Sequence, residues 1–585
     1  AVDIDVTGGG NVRLGAAITT SGTAEATQGG NGCAVTINTA DGTMSLNAIT
    51  TDGGNTTAGS NNGGNGASVT VVAGGATGGL TLAGAISTIG GTSVGGSAGT
   101  DGSVTLDAGA GTLDGASQSI STGGGTIAFT GDSYANMDGT YSTTSSIDLD
   151  VNTAGKTVTL GTATGGDVSL SNAELTALAS GGTLNIGSAD AGAIVVDGVD
   201  VSGNNINIVS GSTIDDADDV GTSLKTTANI TLTAGGAIGG ANAAGLNVDA
   251  ASVTVTSTAG NSVTITDVGT SDTVYDISTG GAGTVTLNQS ANNLLVENIT
   301  TTGNVVLDSA ADILNNTGGT GIVGANLSAD ATGSVGTSSS LLATQVSTLD
   351  ASGAGVFVGN TGRLAITDDG DADTSGIKST GGVIVSASSP LVVDADVTDT
   401  SATGITLYAA EDGTDTVSDP TSGSFDYDNV DLNADVIESG TGNINIYAGD
   451  SINLQGTAGT AGETGEAIVS ATSGSVLLSA STDFDGTTAS NGNMGDTAGA
   501  GDIVMDDGAQ VLSNAGNITL RAAGSISLGL VDADADNTST VGNVNIDADY
   551  DGVDTGLSDN VGSITDSTAA ESANVVGSVV TLDAG

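Results

Sequence analysis

Short runs in which Val, Ile or Leu alternates with Thr, Ser, Asn or Asp recur along this chain from its first residues to its last. ANITLTAGG at 228–236 sets the pattern. GNVRLG at 10–15, GSVTLDAG at 102–109, GTVTLN at 283–288, GNVVLD at 303–308, GNINIYAG at 442–449, GNITLRA at 516–522, GNVNIDA at 542–548 and GSVVTLDAG at 577–585 repeat it. A period of two is that of a strand with one face buried, and the flanking glycines are where a chain turns sharply. One strand-and-corner unit, reiterated, predicts a solenoid whose coils each touch only their neighbours.

Between residues 10 and 120 the coils can be counted. Leu14, Leu46 and Leu82 form one series, Ile18, Ile49, Ile86 and Ile120 a second, and Val35, Val69 and Val104 a third, all at intervals of 31 to 37 residues. Three interleaved series with one period predict about three short strands per coil. The Gly/Ser/Thr/Asn-rich stretches 20–32, 51–66 and 88–102 then fall at one place in successive coils, as stacked insertions. From 200 to 310 the coils tighten, with Ile230, Val253, Val285 and Val305 recurring at about 20 residues and a second pair at Val263 and Ile265. Ser171 and Glu174 make a capping box ahead of Leu175 and Leu178, which predicts one short helix over 172–179. After 365 the insertions return and are acidic, at 410–429, 481–501 and 531–540.

The expected fold is therefore all-β: one elongated, continuous parallel β-helix over 1–585. A composition shift near Asp368–Asp373 marks where it would subdivide, into 1–365 and 380–585. At about 4.8 Å per rung, roughly 20–34 residues per coil would give a rod on the order of 80–140 Å long.

Composition agrees. The 97 glycines accompany evenly spread, patterned Val, Ile and Leu, which argues against disorder. Aromatics are 2%, Trp and His are absent, and Pro390 and Pro420 are the only prolines. A narrow interior has little room for rings, and proline cannot donate to an interior ladder. Cys33 has no partner for a disulfide and reads as a small core residue of the strand Cys33–Ile37. No stretch reaches the ~20 apolar residues of a membrane span. No basic-then-apolar secretion signal opens the chain, so export would need one outside these residues.

Sixty-six acids stand against six bases, Arg13, Lys156, Lys225, Arg363, Lys378 and Arg521, for a formal charge of −60. Such a surface repels nucleic acid and anionic membrane and attracts cations. Without His, and with bases scattered singly, Ser/His or Cys/His nucleophilic chemistry is excluded and an enzyme is not expected. Cation binding is the better candidate chemistry. Asp547, Asp549 and Asp551 with Gly552 have the Asp-x-Asp-x-Asp-Gly spacing that wraps a hard cation such as Ca2+, with Asp554 beside them. Position twelve of that loop is Ser558, so the bidentate Glu is missing. Further acidic clusters lie at Asp215, Asp216, Asp218 and Asp219, at Asp368, Asp369, Asp371 and Asp373, and at Asp532, Asp534 and Asp536. GGNGC at 29–33 and GGNGA at 63–67 lack the acid of a calcium repeat and read as corners. Tyr408, Tyr427 and Tyr447, spaced by 19 and 20, would stand on adjacent rungs and could contact glycans.

LSNAELTALASGGTLNIG at 170–187, followed by SADAGAIVVDG, resembles an element of the very large secreted bacterial exoproteins of the filamentous haemagglutinin type, and ANITLTAGGAI is similar to their repeats. The resemblance implies a right-handed parallel β-helix at the outside of a bacterial cell, serving as an adhesin or fibre shaft. That family's secretion module carries Asn-Pro motifs, whereas neither proline here follows Asn. The expected function is structural: an extracellular shaft, or a fibre or sheath subunit joined end to end or side by side to copies of itself. The alternative is a β-helix that binds or cleaves polysaccharide.

Overall fold

Wherever the alternation runs, the chain is a strand, and within each compact unit the named strands pair in parallel. The computed structural model describes residues 1–585 apart from 60, 180–181, 219, 242–243, 259, 370–375, 389, 410–427, 457–466, 481–500, 538–540, 549, 551–561, 568–573 and 585. The units are Ala1–Ser290 and Ala291–Gly585.

In the first unit, one ladder stacks Val2–Val6, Val35–Thr39, Val69–Ala73, Val104–Asp107, Ile127–Thr130 and Ser146–Asp150. A second stacks Val12–Arg13, Thr43–Leu46, Gly79–Leu82, Thr112–Asp114 and Ser133–Ala135. A third stacks Ile18–Thr19, Ile49–Thr50, Ile86–Ser87, Ile120–Gly123 and Tyr141–Thr143. Three parallel strands per coil make this a right-handed parallel β-helix. The periodic series become columns, with Ile18, Ile49, Ile86 and Ile120 in register, and Val35, Val69 and Val104 likewise. Each strand buries alternate residues, as in the buried–half-buried alternation of Val35–Thr39.

Later coils of this unit carry two ladders. Asn229–Ala234, Ser252–Ser257 and Thr273–Thr279 form one, and Leu246–Asp249, Val263–Asp267 and Val285–Gln289 the other. Here the series of about 20 residues mixed two faces. Val253 follows Ile230, but its next partner is Tyr275, whereas Val285 stacks on Val263. The two ladders look alike in sequence, so spacing alone steps from one to the other. Tyr275 is fully buried, and Phe129 and Tyr141 meet edge to face at 5.7 Å in the core, so the interior admits rings that composition argued against.

The helix spans Asn172–Leu178, with Ser171 at its N-cap and the reciprocal Ser171–Glu174 capping box formed. Leu175 and Leu178 are buried, and Glu174 Oε1 also accepts the Met137 amide at 3.1 Å. The cap thereby ties the helix to the preceding coil.

In the second unit, Val383–Ala387, Gly404–Ala409, Asn443–Ala448, Val476–Ala480, Ile518–Ala522, Val544–Ala548 and Val580–Asp583 stack on one face. The rest of each coil is split into two short strands, so that Leu391–Val393 pairs with Val430–Leu432 and Val397–Asp399 with Val436–Glu438. That again makes three strands per coil. Coil length varies while register holds: side chains bonded across one rung are 22 residues apart at Asn453 and Asp431, and 39 apart at Asn433 and Asp394.

The small polar residue of the repeated motif has a specific task. Asn11, Asn205, Asn443 and Asn517 each accept, through Oδ1, the backbone amide of the residue one coil on, at Thr43, Asn229, Ser475 and Asn543. These amides begin strands and would otherwise lack a ladder partner.

The first three insertions are layered hairpins. Outgoing limbs stack through Gly22 N–H to Asp52 O and Gly53 N–H to Ile89 O, both 2.8 Å, and returning limbs through Gly32 N–H to Asn65 O (2.8 Å) and Gly66 N–H to Thr100 O (2.8 Å). The layers are joined by Gly54 N–H to Gly30 O (2.7 Å) and Gly91 N–H to Gly64 O (2.7 Å), and the two limbs of the middle insertion by Gly64 N–H to Gly54 O (2.9 Å). A Cβ on Gly54 would lie 1.9 Å from the Thr23 carbonyl oxygen, and one on Gly64 1.9 Å from that of Gly30. GGNGC and GGNGA are therefore packed limbs rather than corners, and their glycines are required for close approach. Cys33 is exposed, not in the core. Its strand begins two residues later, at Val35, and its own amide donates back to Thr20 O at the hairpin base.

Gly54→Ala or Gly64→Ala is expected to cost roughly 2 kcal/mol or more in thermal or urea unfolding. Gly15→Ala, where an added Cβ meets nothing within 4 Å, is expected to stay within about 0.5 kcal/mol. Equal effects at the three sites would contradict the packed-limb account.

Candidate functional site

With so few bases, ion pairing cannot neutralise the acids. Among the described residues Lys156 pairs with Asp167 at 3.4 Å and Lys225 with Asp249 at 3.0 Å. Lys225 stands in register between Asp200 and Asp249, and Asp249 raises its pKa. The Thr157 amide and hydroxyl, then Lys156, lower that of Asp167.

Many of the other described acids are matched with neutral donors of a neighbouring rung. Asp5 accepts from Asn38 (2.8 Å), Asp148 from Asn185 (2.5 Å) and Asp431 from Asn453 (2.7 Å). Backbone amides serve Asp52 (Ile89, 2.8 Å), Asp101 (Gly90, 2.6 Å), Asp312 (Ser334, 2.7 Å) and Asp502 (Ser525, 2.6 Å). Each such bond crosses to a neighbouring coil or limb, so the charged groups help hold the stack.

Among the described residues, three carboxylates converge in the second unit. Asn326–Ala331 and Thr348–Gly353 stack so that Ser328 faces Asp350, and Leu349 then pairs with Ile366. The chain leaving Leu364–Ile366 brings Asp368 and Asp369 back over Asp350, and the Asp369 amide donates to Asp350 Oδ2 at 3.0 Å. One oxygen from each of Asp350, Asp368 and Asp369 lies within 4.8 Å of the others. Asp350 is buried, the other two are exposed, and a groove of about 280 Å3 opens beside them, edged by Asn304, Asn326 and Thr348. Three acids at one point repel one another unless a cation or proton intervenes, and an all-oxygen donor set suits a hard divalent ion such as calcium.

The sequence grouped Asp368 and Asp369 with Asp371 and Asp373, which lie outside the described residues. It missed Asp350, which is one coil earlier; the alignment of Leu349 with Ile366 is the signal that would have found it. Asp215 and Asp216 do not converge, because neighbouring strand residues face opposite sides. Asp215 accepts the Gly240 and Ala241 amides, while Asp216 accepts the Ser223 hydroxyl and the Asp218 amide, and burial raises its pKa. Asp532 accepts the Asp534 amide at 2.8 Å in a local turn.

Of the cation loop read from the sequence, Asp547 stands in register between Arg521 and Asp583, while Asp549, Asp551 and Asp554 lie outside the described residues. Tyr408 and Tyr447 are direct rung neighbours, with ring centroids 6.5 Å apart at an interplanar angle of 77°. They are one whole coil of the ladder apart, not two steps of about 20 residues. Tyr427 lies outside the described residues. The Arg521 guanidinium stacks 4.9 Å from the centroid of the Tyr550 ring.

No protein-family model, curated protein or solved structure matches the chain.

If the three carboxylates take calcium, millimolar Ca2+ raises the melting temperature, because a ligand of the native state stabilises it. Asp368→Asn with Asp369→Asn, both at exposed positions, is expected to abolish that rise. Identical melting with calcium and with chelator would reduce the cluster to a solvated turn.

Proposed function

We propose that this protein is structural: the shaft of a bacterial surface adhesin of the filamentous haemagglutinin type, or a fibre subunit, extracellular and assembled by stacking copies end to end. The ladders support the reading by absorbing the chain's chemistry. Inward columns are mainly aliphatic, outward columns are rich in Thr, Ser, Asn and Asp, and many of the described acids are engaged by amides and hydroxyls of adjacent coils. The observation that carries it is the ladder of Val383–Ala387, Gly404–Ala409, Asn443–Ala448, Val476–Ala480, Ile518–Ala522 and Val544–Ala548, whose rungs keep one register through coils of different length.

A further rung laid on an open end of such a ladder buries the apolar residues of its last strand and satisfies its backbone edge. When a second copy supplies that rung, the contact is head to tail and does not close, which generates a filament. The reading includes no catalytic step, since the chain has no His and its bases are dispersed. It includes no nucleic-acid partner, given the charge. Among the described residues no helix is long and apolar enough to cross a membrane. A carbohydrate-binding reading would use Tyr408 and Tyr447, but their edge-to-face rings, with Tyr408 7% exposed, offer a poor stacking platform.

Electron microscopy is expected to show filaments that lengthen with protein concentration. Monodisperse short particles under all conditions would remove the stacking version.

A further inference from the structure

Parallel stacking sets Glu438, the last residue of Val436–Glu438, directly on Asp399, the last residue of Val397–Asp399. Both point inward, and both are 0% exposed. Ser379 lies one rung below and Ala471 one rung above in the same column, so nothing basic completes it. Two other acid pairs set in register within the named strands, Asp308 with Asp330 and Asp547 with Asp583, sit at solvated positions, where water and salt screen them; the buried Asp428 and Asp450, just ahead of the strands Val430–Leu432 and Ile452–Leu454, are joined instead by the Asp428 amide donating to Asp450 Oδ2 at 3.2 Å.

Hydrogen-bond bookkeeping at the pair leaves one atom over. Asp399 Oδ1 accepts the Gly382 amide at 3.1 Å, and Oδ2 accepts the Ser401 hydroxyl at 2.7 Å. Glu438 Oε1 accepts the Gly440 amide at 2.7 Å. Glu438 Oε2 is buried and has no donor. A bare carboxylate oxygen in that position, above a second carboxylate, would carry both a desolvation cost and a Coulomb cost. A single proton removes both and fills the remaining bond.

We propose that Glu438 is protonated at neutral pH and donates from Oε2 to the Asp399 carboxylate one rung below, and that this proton is a pH-sensitive latch on the strands Ile377–Ser379, Val397–Asp399, Val436–Glu438 and Ile468–Ala471. The surrounding groups leave the proton as the means of neutralisation. From the strand below comes Lys378, which is exposed on the outward side, and the strand above, Ile468–Ala471, carries no titratable residue. Asp394, Asp396, Asp431 and Asp435 precede or lie on the outer side of the neighbouring short strands and are exposed or half-buried. The adjoining face brings Tyr408 and Tyr447, which are outward of its apolar columns. The charge that bears on Glu438 is that of Asp399.

Burial first, and then Asp399, push the Glu438 carboxyl up to about 7 from an ordinary 4.5, against the lowering effect of the Gly440 and Gly442 amides. A raised folded-state value means that the folded chain holds the proton more tightly than the unfolded chain. The stabilisation is therefore complete below about pH 4.5, declines as pH rises toward 7, and is gone above it. The absence of His makes the step readable, since no other side-chain type ordinarily titrates between pH 5 and 8.

The test is difference infrared spectroscopy of the full chain between pH 5.5 and 8.5, with Glu438→Gln alongside. Glutamine keeps a donor toward Asp399 and does not titrate. The wild type is expected to show a protonated-carboxyl band that disappears with a midpoint near pH 7 and is missing in E438Q. Hydrogen exchange, corrected for intrinsic rate, is expected to accelerate across that midpoint at 397–399 and 436–438 in the wild type, but not in E438Q or at Val69–Ala73. No such band in the wild type would overturn the proposal on its own, even if E438Q failed to fold. A band of equal size in folded E438Q would overturn the assignment to Glu438.

Discussion

The constraint on which the rest depends is in-register parallel stacking. Within the ladders, backbone amides reach carbonyls on the neighbouring coil, and the rungs lie about 4.8 Å apart, so a strand residue spends the folded state directly over its counterpart. An inward aliphatic placed on an aliphatic extends a dry column, as along Val35, Val69 and Val104. An acid placed on an acid costs about 3 kcal/mol at an effective dielectric of 20. That comparison explains why Asp5, Asp148 and Asp431 face Asn rather than another carboxylate, and why Lys225 sits between two aspartates. A chain with charge −60 can remain folded because the register assigns neutral donors to so many of its acids.

The same constraint governs what interrupts the coils. Insertions are tolerated wherever both ends return to register, so a coil can lengthen from about 22 to about 39 residues without altering the ladder. Near the start of the chain the insertions are themselves stacked, and there the spacing between limbs leaves no room for a Cβ. Glycine at 54 and 64 is a packing residue, a role different from that of glycine at a turn. Asp350, Asp368 and Asp369 arise from the same rule, since an excursion after Ile366 must come back over the rung beneath it.

The fold class, the three strands per coil, the early columns and the capped helix were all legible in the sequence, because period, like-on-like columns and the Ser171–Glu174 spacing are one-dimensional signals. What failed were inferences needing knowledge of which ladder a strand joins. Val285 was grouped with Val253 because both ladders use the same alternation. Cys33 was counted into a strand that begins at Val35. Asp350 was missed because its partners are close only through the coil. The role of Asn443 and Asn517 was hidden for the same reason: their acceptor function appears only when the next coil is laid on top.

The central claim, that the chain is held as a stack of in-register parallel rungs, is tested most directly by disulfide trapping in a Cys33→Ser background. Thr231 and Thr254 are outward register partners, and Asp276 follows one rung beyond. Neighbouring rungs fall within the Cα separation that a disulfide spans, about 4.4–6.8 Å, whereas next-nearest rungs, at roughly 9–10 Å, do not. The account predicts near-complete cross-linking of Thr231→Cys with Thr254→Cys under mild oxidation, and none of Thr231→Cys with Asp276→Cys. Efficient intramolecular cross-linking of the second pair, or failure of the first in a folded protein, would contradict it.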